Sequence, residues 1–230
     1  MNKPKIVGRE EWLTARKALL TREKALTRER DALAAERRAL PMVKVDRDYV
    51  FDGPSGPVTL RQLFGAHPQL LVYHFMLDPA WEAGCKSCSY VTDNIEGGFR
   101  HLAARDTAFT LVSRAPLPKI AAFKERMGWA LPWVSSFSNE FNYDFGVSFR
   151  TEDDGLSYNY GAGEKGTGER PGLSAFLRDG DEVFHTYSVY ARGLDALIGT
   201  YQYLDLTPLG RHEEDLPYGM AWVRHHDKYV

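Results

Sequence analysis

The feature that most constrains how this chain folds is an apolar run followed by a pair of cysteines at a helix start. The run Gln69–Met76 is almost continuously apolar, which is typical of a strand buried on both faces of a parallel sheet. Cys85 and Cys88 follow after a short loop, and apolar residues then recur at helical spacing from Val91 to Leu102. The pattern therefore predicts a strand, a loop and a helix, with Cys85 at or just before the helix N-terminus.

The rest of the chain after Pro41 predicts a mixed sheet covered by helices. Its predicted elements are a hairpin over 49–60, a helical turn over 60–64, a strand over 107–113, a helix over 117–128, a strand-like segment over 132–137, a loop over 159–172, a hairpin over 174–187, a helix over 194–204 and an irregular tail from 207 onwards. The pair Gly97-Gly98 is expected to bend the helix that follows the cysteines. Parallel crossovers followed by an antiparallel hairpin indicate an α/β fold.

Residues 9–40 are of a different kind, with alanine-leucine pairs every seven residues. Leu19, Leu26 and Leu33 mark the repeat, and the residues between them are mostly Arg, Lys, Glu and Thr. Good helix formers that end at Pro41 predict one long helix. Its narrow apolar stripe favours a helix laid on the protein's own core or on a neighbour, and a self-pairing coiled coil or a membrane-surface helix are the alternatives.

Size and charge limit the classes to which the chain can belong. Its 230 residues allow one or two domains, and we divide them into an N-terminal amphipathic helix, 1–40, and a domain over 41–230. A formal net charge of −2 does not indicate nucleic-acid binding, which is typical of basic proteins. No apolar run is long enough to span a membrane. With no secretory signal, we expect a cytoplasmic protein, in which a lone C-x-x-C is more often catalytic or metal-binding than a permanent disulfide.

A position at a helix N-terminus would make Cys85 reactive. The free backbone N–H groups and the helix dipole stabilise a thiolate there and lower the thiol pKa. Cys88, one turn later, is close enough to close a disulfide with it. The arrangement favours dithiol–disulfide exchange, with Cys85 as the attacking thiolate and Cys88 as the resolving thiol.

Three other interpretations of the cysteine pair stay open. The pair could be half of a zinc site, although there is no second cysteine pair and the further ligands would have to come from His101, His225 or His226. The two thiols could instead be buried and inert. Finally, Cys85 could reduce peroxides rather than exchange disulfides.

Several segments of the chain resemble the DUF899 family. They are Gly84–Ser89, 128–136, 141–147, 176–180, 204–211 and 222–229, and the resemblance covers nearly the whole chain. Members of that family are thioredoxin-like and are predicted to be dithiol–disulfide oxidoreductases. The resemblance implies a thioredoxin-like mixed sheet flanked by helices, with a long N-terminal helical extension. We expect no cofactor and no metal.

The resemblance to thioredoxins also suggests roles for two residues near the cysteines. Thioredoxins carry a cis-proline before the strand that faces the disulfide, and the nearest candidate here is Pro171, although Gly172 and Leu173 intervene. Thioredoxins also carry a buried acid on the strand before the motif. This chain has His74 on that strand, which makes His74 a candidate to relay a proton to Cys88.

Peroxiredoxins are similar in the loop before the cysteines. Their signature places a proline six residues, and a threonine or serine three residues, before the peroxidatic cysteine. Pro79 matches the proline, but Glu82 stands where the hydroxyl should be. A carboxylate close to a thiolate raises the thiol pKa, which argues against fast peroxide reduction by Cys85.

Seven aromatic residues fall between Trp129 and Phe149. We expect most of them to pack in the core. The alternative is that some of them, together with Trp81, wall a groove beside Cys85 that binds an apolar peptide or a small disulfide. Trp81, Trp133 and Pro171 are therefore the candidate substrate-binding residues.

The sequence thus predicts an enzyme whose partner is a protein or small-molecule disulfide, with no nucleic acid and no membrane. A homo-oligomer is expected if the N-terminal helix pairs with a second copy of itself. The rival hypothesis from another class is a non-enzymatic scaffold, in which the helix drives assembly and the cysteines are structural.

Overall fold

The protein, described here from a computed structural model over residues 4–229, folds around one mixed sheet of eight strands. The strands of this sheet are β1 (Val43–Lys44), β2 (Val50–Gly53), β3 (Gly56–Thr59), β4 (Gln69–His74), β5 (Thr107–Ser113), β6 (Trp133–Ser135), β9 (Gly172–Asp179) and β10 (Glu182–Tyr190). Two further strands, β7 (Ser148–Phe149) and β8 (Gly168–Glu169), form a separate pair. The helices are α1 (Arg9–Arg38), α2 (Lys86–Glu96), α3 (Phe99–Ala103), α4 (Leu117–Arg126), α5 (Phe141–Asp144), α6 (Tyr158–Gly161) and α7 (Gly199–Leu204). Short 3₁₀ turns lie at Gln62–Phe64, Asp154–Ser157, Ala191–Leu197 and His226–Lys228.

The strand order of the large sheet is β1-β10-β9-β4-β5-β6-β2-β3, and β7 pairs with β8 apart from it. β4 and β5 run parallel, as do β5 and β6, and the intervening segments contain α2 and α4. β9 is antiparallel to β4, and β10 is antiparallel to β9. The predicted succession of parallel crossovers and a final antiparallel hairpin is therefore confirmed, and with it the α/β fold class.

β4 lies at the centre because its residues are apolar on both sides, as a strand covered on both faces requires. Tyr73 points towards the core that contains Cys88 and the helices α2 and α4, whereas Leu70 and Val72 belong to a second core on the other face. This alternation follows from the two-residue period of a strand. It decides which neighbours of Cys88 the sheet can supply.

Two of the predicted helices differ from their expected form. Gly97-Gly98 does not bend a continuous helix, because α2 ends at Glu96 and the separate helix α3 begins at Phe99. The last helix is interrupted as well, since Ile198 adopts an extended conformation (φ −96°, ψ 94°) between a 3₁₀ turn and α7. Ile198 is fully buried, so packing of this side chain accompanies the break.

The predicted N-terminal helix is confirmed as α1, which has 30 residues and ends three residues before Pro41. It has no buried residue, and Leu19, Leu26 and Leu33 are 48%, 53% and 45% exposed. The expectation that the stripe lies on the protein's own core is therefore wrong, and a neighbour or a second copy remains as the alternative. Within residues 4–229, no helix is both long and apolar enough to cross a membrane.

Candidate active site

The cysteine pair lies at the start of α2, as the sequence predicts. Cys85 is the N-cap residue of the helix, with non-helical backbone angles (φ −57°, ψ 130°). Its N–H donates a hydrogen bond to the Met76 carbonyl at 3.0 Å, which fixes the loop to the end of β4. Cys88 lies one turn into the helix and is 1% exposed, whereas Cys85 is half-buried. Both residues are free thiols.

The surroundings of Cys85 favour its thiolate. The Cys88 thiol donates a hydrogen bond to it, and the backbone N–H groups of Cys88 and Ser87 together with the Ser87 hydroxyl add further donors. These donors outweigh the effect of burial and lower the pKa of Cys85 to about 6. A large share of Cys85 is therefore ionised at neutral pH, as a nucleophilic thiol requires.

Cys88 has the opposite character. Burial, and then the neighbouring Cys85, raise the pKa of the Cys88 thiol well above its usual range. The pair thus consists of one thiolate and one protonated thiol, which is the charge distribution that an attacking and a resolving cysteine need.

Tyr73 is a neighbour of Cys88 that the sequence did not single out. Its side chain is 1% exposed, and its hydroxyl is buried without a hydrogen-bond partner in the described part of the chain. Burial, and then the Cys88 thiol, raise the pKa of Tyr73. The hydroxyl is thus a free donor beside the Cys88 thiol. Strand alternation could have identified it, since Tyr73 lies on the opposite face of β4 from His74.

A cavity of about 350 Å³ opens beside the two cysteines. Its walls come from the end of β4, from α2, from Pro171 before β9, and from the segment 191–220. Its apolar lining residues are Met76, Val91, Pro171, Ala191, Leu194, Ile198 and Met220. A substrate sulfur held here would be next to Cys85. The sequence predicts a helix over 194–204 within this segment but does not place it beside the cysteines, because the two parts of the cavity are about 100 residues apart in the chain.

Pro171, a predicted substrate-binding residue, does lie in this cavity. The residues that the structure describes contain no cis peptide bond, so Pro171 follows a trans bond here. Tyr158 fixes its position by donating a hydrogen bond to the Pro171 carbonyl at 2.7 Å. The same hydroxyl accepts a hydrogen bond from the Ala191 N–H at 2.9 Å, so one side chain ties two walls of the cavity together.

His74 lies on the wrong face of β4 to act on Cys88. Its ring stacks against Phe141, 5.5 Å between centroids, within the second core. Its Nε2 atom lies 2.9 Å from the Ser174 hydroxyl, and burial first of all lowers its pKa to about 3. The proposed proton relay from His74 to Cys88 is therefore incompatible with this geometry, because neighbouring residues of a strand point to opposite faces.

The two tryptophans proposed to bind substrate do not line the cavity. Trp133 is 2% exposed, packs against Phe75 with centroids 4.6 Å apart, and donates to the Ser113 hydroxyl at 3.1 Å. Trp81 is partly buried against the same core, and its carbonyl accepts a hydrogen bond from Lys119 at 2.9 Å. The expectation of core packing, and not the alternative of a substrate groove, therefore describes Trp133.

The C-terminal tail, predicted only as irregular, fastens the cysteine loop. The His225 Nε2 atom lies 2.8 Å from the carbonyl oxygen of Gly84, directly before Cys85. Lys86 at the start of α2 donates to the Ala221 carbonyl at 3.3 Å. Among residues 4–229, no three His, Cys, Asp or Glu side chains are grouped so that they could hold a metal ion. The histidines considered as zinc ligands include His225, which is engaged with the loop instead.

The strand order β10-β9-β4-β5, with the helix that carries Cys85 and Cys88 directly after β4, defines a thioredoxin-like protein. The chain belongs to the DUF899 family, described as a bacterial protein family of unknown function, whose model matches residues 1–229. This finding confirms the family resemblance seen in the sequence.

Solved structures similar to this chain include peroxiredoxins. A cysteine-to-serine mutant of peroxiredoxin Q from Xanthomonas campestris has 15% identity and a TM-score of 0.49, covering 71% of this chain and 98% of its own. The peroxidoxin BcpB from Mycobacterium tuberculosis has 15% identity and a TM-score of 0.48, covering 72% and 97%. A hypothetical protein from Sinorhizobium meliloti has 14% identity and a TM-score of 0.44, covering 73% and 82%. The comparison with curated proteins gave no match.

Proposed function

We propose that this protein is a thiol–disulfide oxidoreductase in which Cys85 and Cys88 exchange a dithiol for a disulfide with a protein or small-molecule disulfide. The observation that carries the proposal is the combination of two unlike thiols at one cavity. Cys85 caps α2 with its pKa lowered to about 6, and Cys88 is buried and protonated one turn later. Both thiols line the same cavity.

The reaction takes place in two displacements at sulfur. The Cys85 thiolate attacks one sulfur of the substrate disulfide, so that the substrate S–S bond breaks, a mixed disulfide forms and the other half leaves as a thiolate. Cys88 then loses its proton and attacks the Cys85 sulfur, which releases the second half of the substrate. The protein is left with a Cys85–Cys88 disulfide and has transferred two electrons. A dithiol reductant returns them, and we place the protein in the cytoplasm, where such reductants are kept.

The reduction potential of the Cys85–Cys88 couple tests this proposal. It is measured by equilibration with glutathione and mass-spectrometric counting of the oxidised and reduced protein. A potential of roughly −120 to −270 mV is expected, which is the range of working oxidoreductases. A potential below about −300 mV, the absence of a reversible disulfide, or full reductase activity in Cys85→Ser would overturn the proposal.

Peroxide reduction by Cys85 is a second candidate function. The sequence argument against it relied on Glu82, but this side chain is exposed to solvent, so its effect on the thiolate is screened. In this alternative, the Cys85 thiolate attacks one peroxide oxygen, the O–O bond breaks, the other oxygen leaves as water or an alcohol, and Cys85 becomes a sulfenic acid. Cys88 then attacks the Cys85 sulfur, which forms the disulfide and releases water. The Cys88→Ser protein lacks the resolving thiol, so the first product on Cys85 is trapped. Single-turnover reactions of this variant with hydrogen peroxide and with a disulfide therefore distinguish the two functions: rapid formation of a sulfenic acid favours peroxide reduction, and rapid formation of a mixed disulfide favours exchange.

We also propose that α1 pairs with the α1 of a second copy. Its leucine stripe is about half exposed along its length, and none of its residues is buried. A cation–π contact with the sheet places the Arg37 guanidinium 5.7 Å from the Tyr187 ring centroid. The non-enzymatic scaffold hypothesis uses the same helix, so deletion of residues 1–40 tests both.

A further inference from the structure

The charged residues around the cavity beside Cys85 are already paired with one another. The Arg211 guanidinium forms a two-pronged pair with Asp205, both contacts at 2.9 Å, and contacts Asp195 at 3.0 Å. It also lies 3.9 Å from the centroid of the Tyr201 ring. With two carboxylates and an aromatic face as partners, Arg211 has little capacity left for an anionic ligand.

Glu213, the remaining carboxylate of the lining, is occupied in the same way. Its Oε1 atom accepts hydrogen bonds from the Tyr201 hydroxyl at 2.8 Å, the Met220 N–H at 2.9 Å and the Trp222 indole N–H at 2.6 Å. The exposed Arg192 also pairs with Asp195, at 3.2 Å. These polar groups therefore hold the segment 191–222 in place, and their hydrogen-bonding capacity is used within the protein and not left for a ligand.

The surface left for a ligand next to the cysteines is apolar. Val91 and Leu194 are 7% and 4% exposed, and Ile198 is fully buried, so these three side chains are held in place by packing and form the bottom of the cavity. Met76 and Met220 are half-buried and complete the rim with polarizable side chains that adapt to different shapes. A cavity with this lining gains free energy by burying an apolar group and loses it by taking up an unpaired charge.

We propose that this cavity selects the substrate of Cys85 by binding an aliphatic or aromatic group bonded to the sulfur that Cys85 attacks. The inference rests on the proposed disulfide exchange and names its substrate class. Disulfides with an apolar substituent beside the sulfur are preferred, and those with a charged substituent at that position, such as oxidised glutathione-like peptides, are poor substrates.

The test uses alkyl methanethiosulfonates, which transfer one RS group to a thiolate with methanesulfinate as the leaving group. The full-length Cys88→Ser protein is treated with reagents whose R group is propyl, 2-sulfonatoethyl or 2-(trimethylammonio)ethyl. The rate of modification of Cys85 is followed by mass spectrometry and divided by the rate of each reagent with 2-mercaptoethanol. We expect the propyl reagent to be about tenfold faster than both charged reagents after this correction.

Matched variants localise the preference to the cavity. Met220→Glu places a charge on the rim at a half-buried position, and it should remove most of the preference for propyl. Met220→Leu keeps the rim apolar and should retain the preference. Leu206→Glu is the surface control, because Leu206 is 83% exposed and does not line the cavity.

The outcomes separate this inference from the proposed function. Equal rates for the three reagents, or a faster charged reagent, would overturn the cavity proposal, as would a preference unaffected by Met220→Glu in a folded protein. If propyl is preferred but the wild-type protein reduces no disulfide, the cavity preference stands and the oxidoreductase proposal fails. If the wild type reduces charged and apolar disulfides at equal rates, the oxidoreductase proposal stands and the substrate class is wrong.

Discussion

At the residue scale, the reactivity of this protein follows from the position of two thiols relative to the first turn of α2. Cys85 lies where N–H and S–H donors converge, whereas Cys88 is buried, and burial disfavours its thiolate. Neither residue type is special by itself, since an isolated cysteine thiol is mostly protonated at neutral pH. The difference between them is a difference in surroundings.

Alkylation of Cys85 is expected to follow a pKa of about 6. The rate of reaction with iodoacetamide should rise with pH and level off above about pH 7, because only the thiolate reacts. Cys85→Ser removes this fast phase, whereas Cys88→Ser keeps a fast phase with a shifted midpoint, since the hydroxyl replaces the thiol as donor. A midpoint near the pKa of free cysteine would show that the hydrogen-bond donors around Cys85 do not stabilise its thiolate.

The same pKa shift links stability to pH. The folded state lowers the Cys85 pKa from its ordinary value of 9.0 to about 6, so between these values the unfolded chain binds more protons than the folded one. The reduced protein should therefore gain stability as pH rises from 6 to 9 and lose that contribution as pH falls through 6. Urea denaturation of the reduced wild type and Cys85→Ser at pH 5.5 and 8.5 measures the difference. If the free energy of unfolding depends equally on pH in the wild type and in Cys85→Ser, the lowered pKa of Cys85 is contradicted.

Tyr73 is expected to assist the resolving step. Its buried, unpartnered hydroxyl can donate a hydrogen bond to Cys88 as that thiol becomes a thiolate. Loss of a hydrogen bond to a charged group costs about 1.5–3 kcal/mol, so Tyr73→Phe should prolong the mixed disulfide on Cys85 about tenfold or more. Quenched-flow mass spectrometry measures this lifetime.

Tyr90→Phe is the matched control for that substitution. The Tyr90 hydroxyl is also buried without a hydrogen-bond partner in the described residues, but its ring packs against Tyr201 and Trp222, and it does not line the cavity. Tyr90→Phe should leave the lifetime unchanged, and Tyr73→Phe should leave the first displacement unchanged. A Tyr73→Phe protein that resolves at the wild-type rate would show that the hydroxyl has no part in the reaction.

At the scale of elements, the cavity depends on loops that are held by a few side chains. Tyr158 joins the Pro171 carbonyl to the Ala191 N–H, and Ala191 has a left-handed backbone (φ 47°) that is unfavourable for a residue with a Cβ. The hydroxyl therefore supports a strained position at the cavity wall. The tail acts similarly through the contact between His225 and Gly84.

Tyr158→Phe should lower the free energy of unfolding by about 1–3 kcal/mol, because it removes two hydrogen bonds that each contribute about 0.5–1.5 kcal/mol, one to the Pro171 carbonyl and one from the Ala191 N–H. It should also reduce the rate of disulfide exchange, since Pro171 and Ala191 both border the cavity. Thermal denaturation and steady-state exchange assays measure the two effects. Tyr160→Phe is the control, as its hydroxyl donates to the Ser188 carbonyl at 3.0 Å but its side chain is 74% exposed. Equal losses of stability and of exchange rate in Tyr158→Phe and Tyr160→Phe would contradict the role of the Tyr158 hydroxyl in holding the cavity wall.

At the scale of the whole molecule, we expect the long helix to be separable from the domain over 41–230. Deletion of residues 1–40 should leave the reduction potential and the exchange rate unchanged, because α1 has no buried residue. The same deletion should reduce the mass measured by light scattering after size-exclusion chromatography from that of an oligomer to that of a monomer. A full-length protein that is monomeric would contradict pairing through α1, and loss of exchange activity on deletion would contradict the independence of the domain.

Elements with strong local patterns could be predicted from the sequence, and those that depend on distant contacts could not. The β4 strand, the helix start at Cys85 and the hairpin at Asp179-Gly180 follow from apolar runs and turn residues within short windows. The break at Ile198 follows from no local pattern, because an extended residue between two helical segments is set by its buried neighbours.

The candidate site shows the same division. Cys85, Cys88 and Pro171 could be named from the sequence because motif and spacing mark them, and all three border the cavity. His74 lies on the other face of the sheet, because the sequence does not say which face of a strand looks towards the cysteines. Tyr73 was overlooked for the same reason, since it is the neighbour of His74 that points to the other side. Trp133 lies in the same core as Cys88 but is packed there and does not border the cavity.

By itself, the sequence determined the family, the α/β succession of elements, the long N-terminal helix and the thiol pair at a helix start. All of these depend on the order of residues along a few turns or strands, where the backbone period is fixed. Only the tertiary structure decided what surrounds the thiols: the face of β4 that meets Cys88, the tail that holds Gly84, and the apolar wall from 191–220. Those neighbours are far apart in the chain, and packing and hydrogen bonding bring them together only when the whole domain has folded.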